Sequence, residues 1–248
     1  MAKADFYFAG ELNFFLPLQR KNKRFSHYFE ERAAIKDTIE ALGIPHPEVD
    51  LILVNSEPVD FSYIVTDGDE IEVYPVSAAI QGQSSNKELG DRFILDVHLG
   101  KLANALRMLG FDTLYRNDYD DEELAKISAA QNRILLTRDK GLLMRSIVTR
   151  GYYVRETNPE GQVKEVLQRF NLFDQVSPFH RCIRCNGLLE PVSKEAIADQ
   201  LLPKTRQAIN EFHRCCECRQ IYWKGSHYAG MQHFVQEVLN SRGERAQS

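Results

Sequence analysis

The chain has 248 residues, 43% of them apolar, enough for two domains or for two and a small module. No run reaches the roughly 18 to 20 apolar residues needed to cross a bilayer, and Met1-Ala2-Lys3-Ala4-Asp5 does not open a secretion signal, so a cytoplasmic protein with no membrane partner is expected. The net charge of −4 is uneven: residues 1–91 carry 8 Lys and Arg against 16 Asp and Glu, a balance of −8, whereas residues 92–248 carry 23 against 19, a balance of +4.

Residues 1–80 read as a small mixed domain. Ala4 to Phe8 is an aromatic, strand-like run, and Phe14-Phe15-Leu16-Pro17 closes it or opens a hairpin. After the polar turn Arg20–Arg24, Phe25 to Phe29 returns as a second strand. Ala33, Ile35, Ile39 and Leu42 recur at helical spacing until Gly43, which stops the helix. Leu51-Ile52-Leu53-Val54 is a strand run, Asn55 to Pro58 a turn, and Glu70-Ile71-Glu72-Val73-Tyr74 alternates as a half-buried strand does. Residues 81–91, with Gln, Ser and Asn in abundance, read as a linker.

Residues 92–175 switch to alternating strands and helices, the pattern of an α/β domain with parallel pairing. Phe93-Ile94-Leu95-Asp96 is a strand; Leu99, Leu102, Ala103, Leu106 and Leu109 form one helical face ended by Gly110. Phe111 to Tyr115 is a strand, and Asp120 to Ala130 a helix with Asp120 and Glu123 at capping-box spacing. Ile134 to Thr137 is a strand, Leu142 to Ile147 a short helix, Tyr152 to Val154 a strand, and Asn158-Pro159 opens a helix through Phe170.

Residues 176–248 read as a zinc ribbon with a C-terminal helix. Cys182-x-x-Cys185 and Cys215-x-x-Cys218 are two knuckles 29 residues apart. Two residues between thiolates let one turn aim both sulfurs at a tetrahedral ion, and four protein ligands leave no open position, so the zinc is structural. A helix is expected near Ala196 to Leu201, and Cys216 is the odd thiol out. The segment Ile221-Tyr222-Trp223-Lys224-Gly225-Ser226-His227-Tyr228 mixes aromatics with Lys and His. It could touch bases and phosphates, with Trp223 read first as packing on the ribbon.

Asp96 ends the first strand of the α/β domain, Asp139 follows the third, and Asn117-Asp118-Tyr119-Asp120-Asp121-Glu122-Glu123 follows the second. Ligands of open parallel sheets gather beyond the carboxyl ends of strands. Carboxylates converging there repel one another unless a divalent cation sits among them. Plainer roles compete: Asp120 as a helix cap, and Asp118 and Asp139 as turn or cap residues. Lys101, Arg107, Arg138, Lys140 and Arg145 flank this rim and could hold phosphates.

From Phe93-Ile94-Leu95-Asp96 through Leu106-Arg107-Met108-Leu109-Gly110-Phe111 and Arg133-Ile134-Leu135-Leu136-Thr137-Arg138-Asp139, with both knuckles and Ile221 to His227, the sequence resembles the Mut-seven C-terminal RNase family, a branch of the PIN-like nucleases. The resemblance covers about residues 92–235. It implies a PIN-like α/β fold, a zinc ribbon, and an RNase site in which Asp96, Asp139 and a middle acid hold Mg2+ or Mn2+. The middle acid is one of Asp118, Asp120, Asp121 and Glu122, with Asp121 favoured. PIN nucleases usually use four acids, and a fourth is missing here. The N-terminal region resembles the ubiquitin-like β-grasp domain often fused to this family, and is similar to sulfur carriers through Leu53-Val54-Asn55 and Asp67-Gly68-Asp69-Glu70-Ile71. It lacks their free terminal Gly-Gly, so a docking or scaffold role is expected.

The resulting expectation is a metal-dependent ribonuclease that positions RNA with Lys101, Arg107, Arg138, Lys140, Arg145 and Lys224. Its rivals are an RNA-binding module that does not cut, and an adaptor docking a protein partner on the β-grasp domain.

Overall fold

The structure, a computed structural model, describes residues 1–75 and 92–243. The expected linker lies outside the described residues, as do Val76 to Ala79. The chain packs as two units, Met1–Gly90 with Asp120–Tyr153, and Asp91–Tyr119 with Val154–Ser248.

In the first unit, β1 (Ala2–Phe8), β2 (Phe25–Phe29), β3 (Val49–Val54), β4 (Glu57–Val59) and β5 (Glu70–Pro75) form one sheet in the order β2-β1-β5-β3-β4. β1 runs parallel to β5, and the other pairs are antiparallel. Alternation sends Ala4, Phe6 and Phe8 of β1 and Ile71 and Val73 of β5 into a core with Ile35 and Ile39 of α1 (Ile35–Ala41). This is the β-grasp arrangement. Gly43, at φ +95°, ends α1 as expected.

Two differences from expectation have local causes. Asn55 and Ser56 both take positive φ, 52° and 70°, which is the two-residue hairpin turn whose twist matches the flanking strands. The chain therefore reverses within two residues, and Glu57–Val59 pairs back on β3 as a strand. Phe14 and Phe15 belong to a 3-10 helix, Gly10–Phe15, pinned by buried Asn13, whose side-chain amide donates to the carbonyls of Phe8 (2.7 Å) and Gly10 (3.0 Å).

In the α/β region, β6 (Arg92–Leu95) pairs in parallel with β7 (Asp112–Leu114) in the second unit, and β8 (Ile134–Thr137) pairs in parallel with β9 (Gly151–Tyr153) in the first. Helices α2 (Gly100–Met108), α3 (Asp121–Gln131), α4 (Lys140–Leu143) and α5 (Pro159–Arg169) alternate with these strands. The caps follow sequence. Asp120 accepts from Glu123 N–H (2.7 Å), Asn158 from Gly161 N–H (2.7 Å), and Gly110 ends α2 at φ +99°. Helix α4 is shorter than the expected Leu142–Ile147 and starts earlier, because Asp139 caps it and Met144 already closes it.

The second unit continues into a three-stranded antiparallel ribbon of β10 (Leu189–Val192), β11 (Phe212–Cys215) and β12 (Ile221–Trp223). The expected helix near Ala196 is a 3-10 helix, Glu195–Gln200. A further helix, α6 (Pro203–Ala208), follows it, and α7 (Tyr228–Asn240) with a short 3-10 turn, Ser241–Gly243, closes the described chain.

The β-grasp elements bind directly to the strand pair in their own unit. Fully buried Glu48 accepts from Tyr153 N–H of β9 at 2.6 Å. Buried His46 joins Glu40 (2.6 Å) to the Val148 carbonyl (2.7 Å), and the rings of Phe14 and Phe15 each lie 5.5 Å from Tyr153. Replacing Glu48 by Ala leaves a buried N–H unpaired, so Glu48→Ala is expected to cost about 1–3 kcal/mol in urea unfolding, with Glu48→Gln costing less.

Candidate functional site

The two knuckles are built alike. In the first, Cys182 N–H donates to Gly187 O (2.8 Å) and Asn186 takes φ +75°; in the second, Cys215 N–H donates to Gln220 O (2.9 Å) and Arg219 takes φ +62°. Gly187 has no room for a side chain, since a Cβ there would lie 2.9 Å from Cys215 Sγ. These turns bring Cys182, Cys185, Cys215 and Cys218 together with all four sulfurs within 4.8 Å of one another. Among the described residues it is the one group of three or more ligating side chains that comes so close.

The donor set fits zinc. A tetrahedron with bonds of roughly 2.3 Å has edges of roughly 3.8 Å; Cys182 and Cys218 are 3.6 Å apart, Cys185 and Cys215 3.4 Å. All five cysteines are free thiols. Before an ion binds, burial raises the Cys182 thiol, but the Tyr222 hydroxyl, at 3.0 Å, and the Cys185 backbone outweigh it and bring it down to about 7. Burial pushes Cys185 up to about 12. Zinc must displace the protons that remain, so its affinity falls as pH falls.

The first knuckle is tied to the α/β region by two side chains. Arg107, expected at an RNA-facing surface, is instead buried, at 3% exposure. Its guanidinium donates to four carbonyls: Thr113 (2.9 Å), Tyr115 (3.3 Å), and the knuckle residues Ile183 (2.9 Å) and Arg184 (3.2 Å). Burial pulls this guanidinium below its ordinary value, while the Cys185 and Cys182 thiolates act in the opposite sense. Arg107 is therefore a structural residue with no face for a phosphate, and its charge opposes the net negative charge of a zinc tetrathiolate. Asn186 completes the dock: its Oδ1 accepts from Thr113 N–H (2.9 Å) and its Nδ2 donates to Asp112 (2.8 Å). No local sequence pattern announced either contact.

The acids occupy different settings. Asp96 directly follows β6, is 6% exposed and accepts from His98 N–H at 3.4 Å. Asp139 follows β8 and is exposed; its Oδ1 accepts from Gly141 N–H (2.7 Å) and Leu142 N–H (3.4 Å). Its Oδ2 carries no hydrogen bond among the described residues. Of the middle candidates, Asp118 pairs with Arg116 at 2.6 Å, which holds its carboxyl below the usual range; Asp120 caps α3; and Glu122 pairs with Lys126. Asp121, the first residue of α3, has a looser contact of 3.8 Å with Arg145 and is half-exposed.

Lys101, Lys140 and Arg145 are exposed, and Arg138 is half-buried with a partner of its own. Lys224 is exposed and bonded to Glu211 at 3.1 Å, and that carboxylate raises it. Trp223 keeps 41% of its surface exposed, so it packs on the ribbon only in part, with Phe212 at 6.3 Å.

Two outcomes are expected. The purified chain carries one zinc by metal analysis, lost in Cys215→Ser and held less tightly at pH 6 than at pH 8 in chelator competition. Arg107→Ala loses at least about 2 kcal/mol in denaturant unfolding, because it strands buried carbonyls. Arg107→Lys restores the charge but not the fork, and recovers only part.

Residues 91–235 match the Mut7-C RNAse domain, and residues 1–81 match the Mut7-C ubiquitin domain. No curated protein and no solved structure matches the chain. The first match spans more than half the chain and takes in Asp96, Asp139 and all four zinc-cage cysteines. This chain belongs to the Mut7-C RNase family, with the family's ubiquitin-like domain at its N-terminal end.

Proposed function

We propose that the protein is a cytoplasmic, divalent-metal-dependent ribonuclease, built as a β-grasp domain (1–80), a nuclease domain (92–175) and a zinc ribbon (176–248). The observation that carries the reading is the pair of aspartates that immediately follow strands β6 and β8. Asp96 is a buried carboxylate at a strand end, and Asp139 has an oxygen with no hydrogen bond among the described residues. Hard cations take carboxylate oxygens.

Asp96, Asp121 and Asp139 are the residues that would hold Mg2+ or Mn2+. Asp121 is the middle ligand because Asp118, Asp120 and Glu122 spend their carboxylates on Arg116, the α3 cap and Lys126. The ion, when bound, makes an attacking water more acidic and steadies the leaving oxygen of the phosphodiester. The N–H groups of Gly141 and Leu142 keep one oxygen of Asp139 fixed, which orients the other. Lys101, Lys140 and Arg145 offer exposed charge for the RNA backbone, and half-buried Arg138 offers another.

The β-grasp domain acts as a scaffold in this reading. Glu48 and His46 fix it to the Val148–Tyr153 segment, a use for the domain that a releasable carrier would not have. A docked protein partner is compatible with that role.

A second reading, RNA binding without cleavage, draws on the capping bonds of Asp96 and Asp139, which give both acids a structural purpose. The two readings part in one assay. Mixed cellular RNA is incubated with zinc-loaded protein, with and without Mn2+ or Mg2+. Cleavage that needs the added metal, and falls at least about a hundredfold in Asp139→Asn with zinc retained, is the expected result. RNA retained with equal affinity under both conditions and never cut selects the second reading.

A further inference from the structure

The ribbon and the segments packed on it enclose a cavity of about 420 Å³ within the second unit. Its wall is rich in aromatics: Phe179, Tyr222, Trp223 and Tyr228 all line it, with Lys224 and Arg181 at its polar side. Phe179 and Tyr228 lie 5.0 Å apart between centroids, tilted by 44°. Phe179 sits at φ +63°, a backbone conformation that a bulky side chain adopts at a cost. That conformation goes with the placement of its ring against Tyr228. Lys224 Nζ stands 6.0 Å from the Tyr228 centroid, within cation–π reach. His180 and His213 also line the cavity, and neither ring has a protein hydrogen bond among the described residues.

Trp223 occupies a distinctive place. It lines both this cavity and a second one, of about 340 Å³, lined by Arg219, Gln220 and Thr205 among others. Its indole lies close over Gly225, where a Cβ would come 2.8 Å from Nε1. A ribbon that used its aromatics only as core would bury this ring; here it is 41% exposed and borders both cavities.

We infer that this aromatic cavity is a nucleobase pocket, in which an unstacked base of single-stranded RNA packs against Trp223 and Tyr228 while Lys224 meets the adjoining phosphate. The chemistry matches on both counts. Aromatic faces take the π face of any base, and the bordering Lys and Arg match the charge of the backbone. The cavity has the size of a small-ligand site. Duplex RNA hides its base faces in the stack and is excluded. The inference rests on RNA as the substrate class proposed above and adds the feature that selects single strands. It does not depend on the aspartates.

Trp223 is the only tryptophan in the chain, so its emission reports on the pocket directly. Zinc-loaded full-length protein is titrated with a short single-stranded RNA, without added Mg2+ or Mn2+ so that no cleavage intervenes. The expected result is saturable quenching, with binding weakened roughly tenfold in Tyr228→Leu and several-fold in Lys224→Ala. Unchanged emission, equal quenching by a duplex of the same sequence, or unaltered binding in Lys224→Ala and Tyr228→Leu together would overturn the inference. If Tyr228→Leu loses its zinc or its fold, Lys224→Ala decides, since that side chain is exposed and its contacts are the surface pair with Glu211 and the approach to the Tyr228 ring. Quenching without any cleavage activity would keep the pocket and sink the nuclease. Metal-dependent cleavage with no quenching would do the reverse.

Discussion

The C-terminal half of the molecule depends on four thiolates meeting at one point. Within residues 176–226 the buried apolar side chains are Ile197 and Phe212, joined by the ligands Cys182 and Cys215. That is too little apolar surface to hold three short strands together. A tetrahedral ion held by the four cysteines would supply what that core lacks, because each metal–sulfur bond would fix a turn that apolar packing could not. The cage also reaches beyond the ribbon. By holding the first knuckle in one shape, it presents the carbonyls of Ile183 and Arg184 to Arg107 of α2. Helix α2 begins four residues after Asp96, on the chain that leaves β6. The cysteine cluster, the knuckle, Arg107 and α2 thus form a chain of positioning contacts whose far end is next to a proposed catalytic acid.

The division of labour between the two halves follows from their charge. The acidic N-terminal region supplies packing surface and buried ion-compatible contacts, as with Glu48 and His46. The more basic remainder holds the exposed Lys and Arg side chains and the aromatic cavity. In the proposed reading, a polyanion would be drawn to the second region and repelled by the first. With single bases held by the ribbon, the nuclease reading gains a way to choose single strands over duplexes without reading sequence.

What the sequence made legible was local. Caps at Asp120, Asn158 and Gly110 appeared where their neighbours demanded them, because a cap is decided within four residues. The cysteine cage was legible for the same reason, since a C-x-x-C turn delivers its ligands by itself. Elements settled by distant contacts were not. The residues of β4 read as part of a turn because pairing with β3 leaves no local mark. The span of α4 is hidden because Asp139 caps it from a position that could equally serve a turn. By its charge alone, Arg107 reads as a surface cation. Only the fold reveals that four carbonyls, two of them more than seventy residues away in the chain, surround it. The aspartates fall between these cases. Their place after strand ends was legible, whereas their liganding depends on geometry around an ion.

The central proposal is that Asp96, Asp121 and Asp139 would hold a hydrated divalent cation separate from the zinc proposed at the four cysteines. Electron paramagnetic resonance of Mn2+ added to zinc-loaded protein tests it most directly, because free and bound Mn2+ are distinguished without any need for RNA. The account predicts at least one bound Mn2+ per chain that disappears in Asp96→Asn and in Asp139→Asn while the zinc content stays at one. Mn2+ bound equally by wild type and both variants, or RNA cut by a protein that binds none, would contradict it.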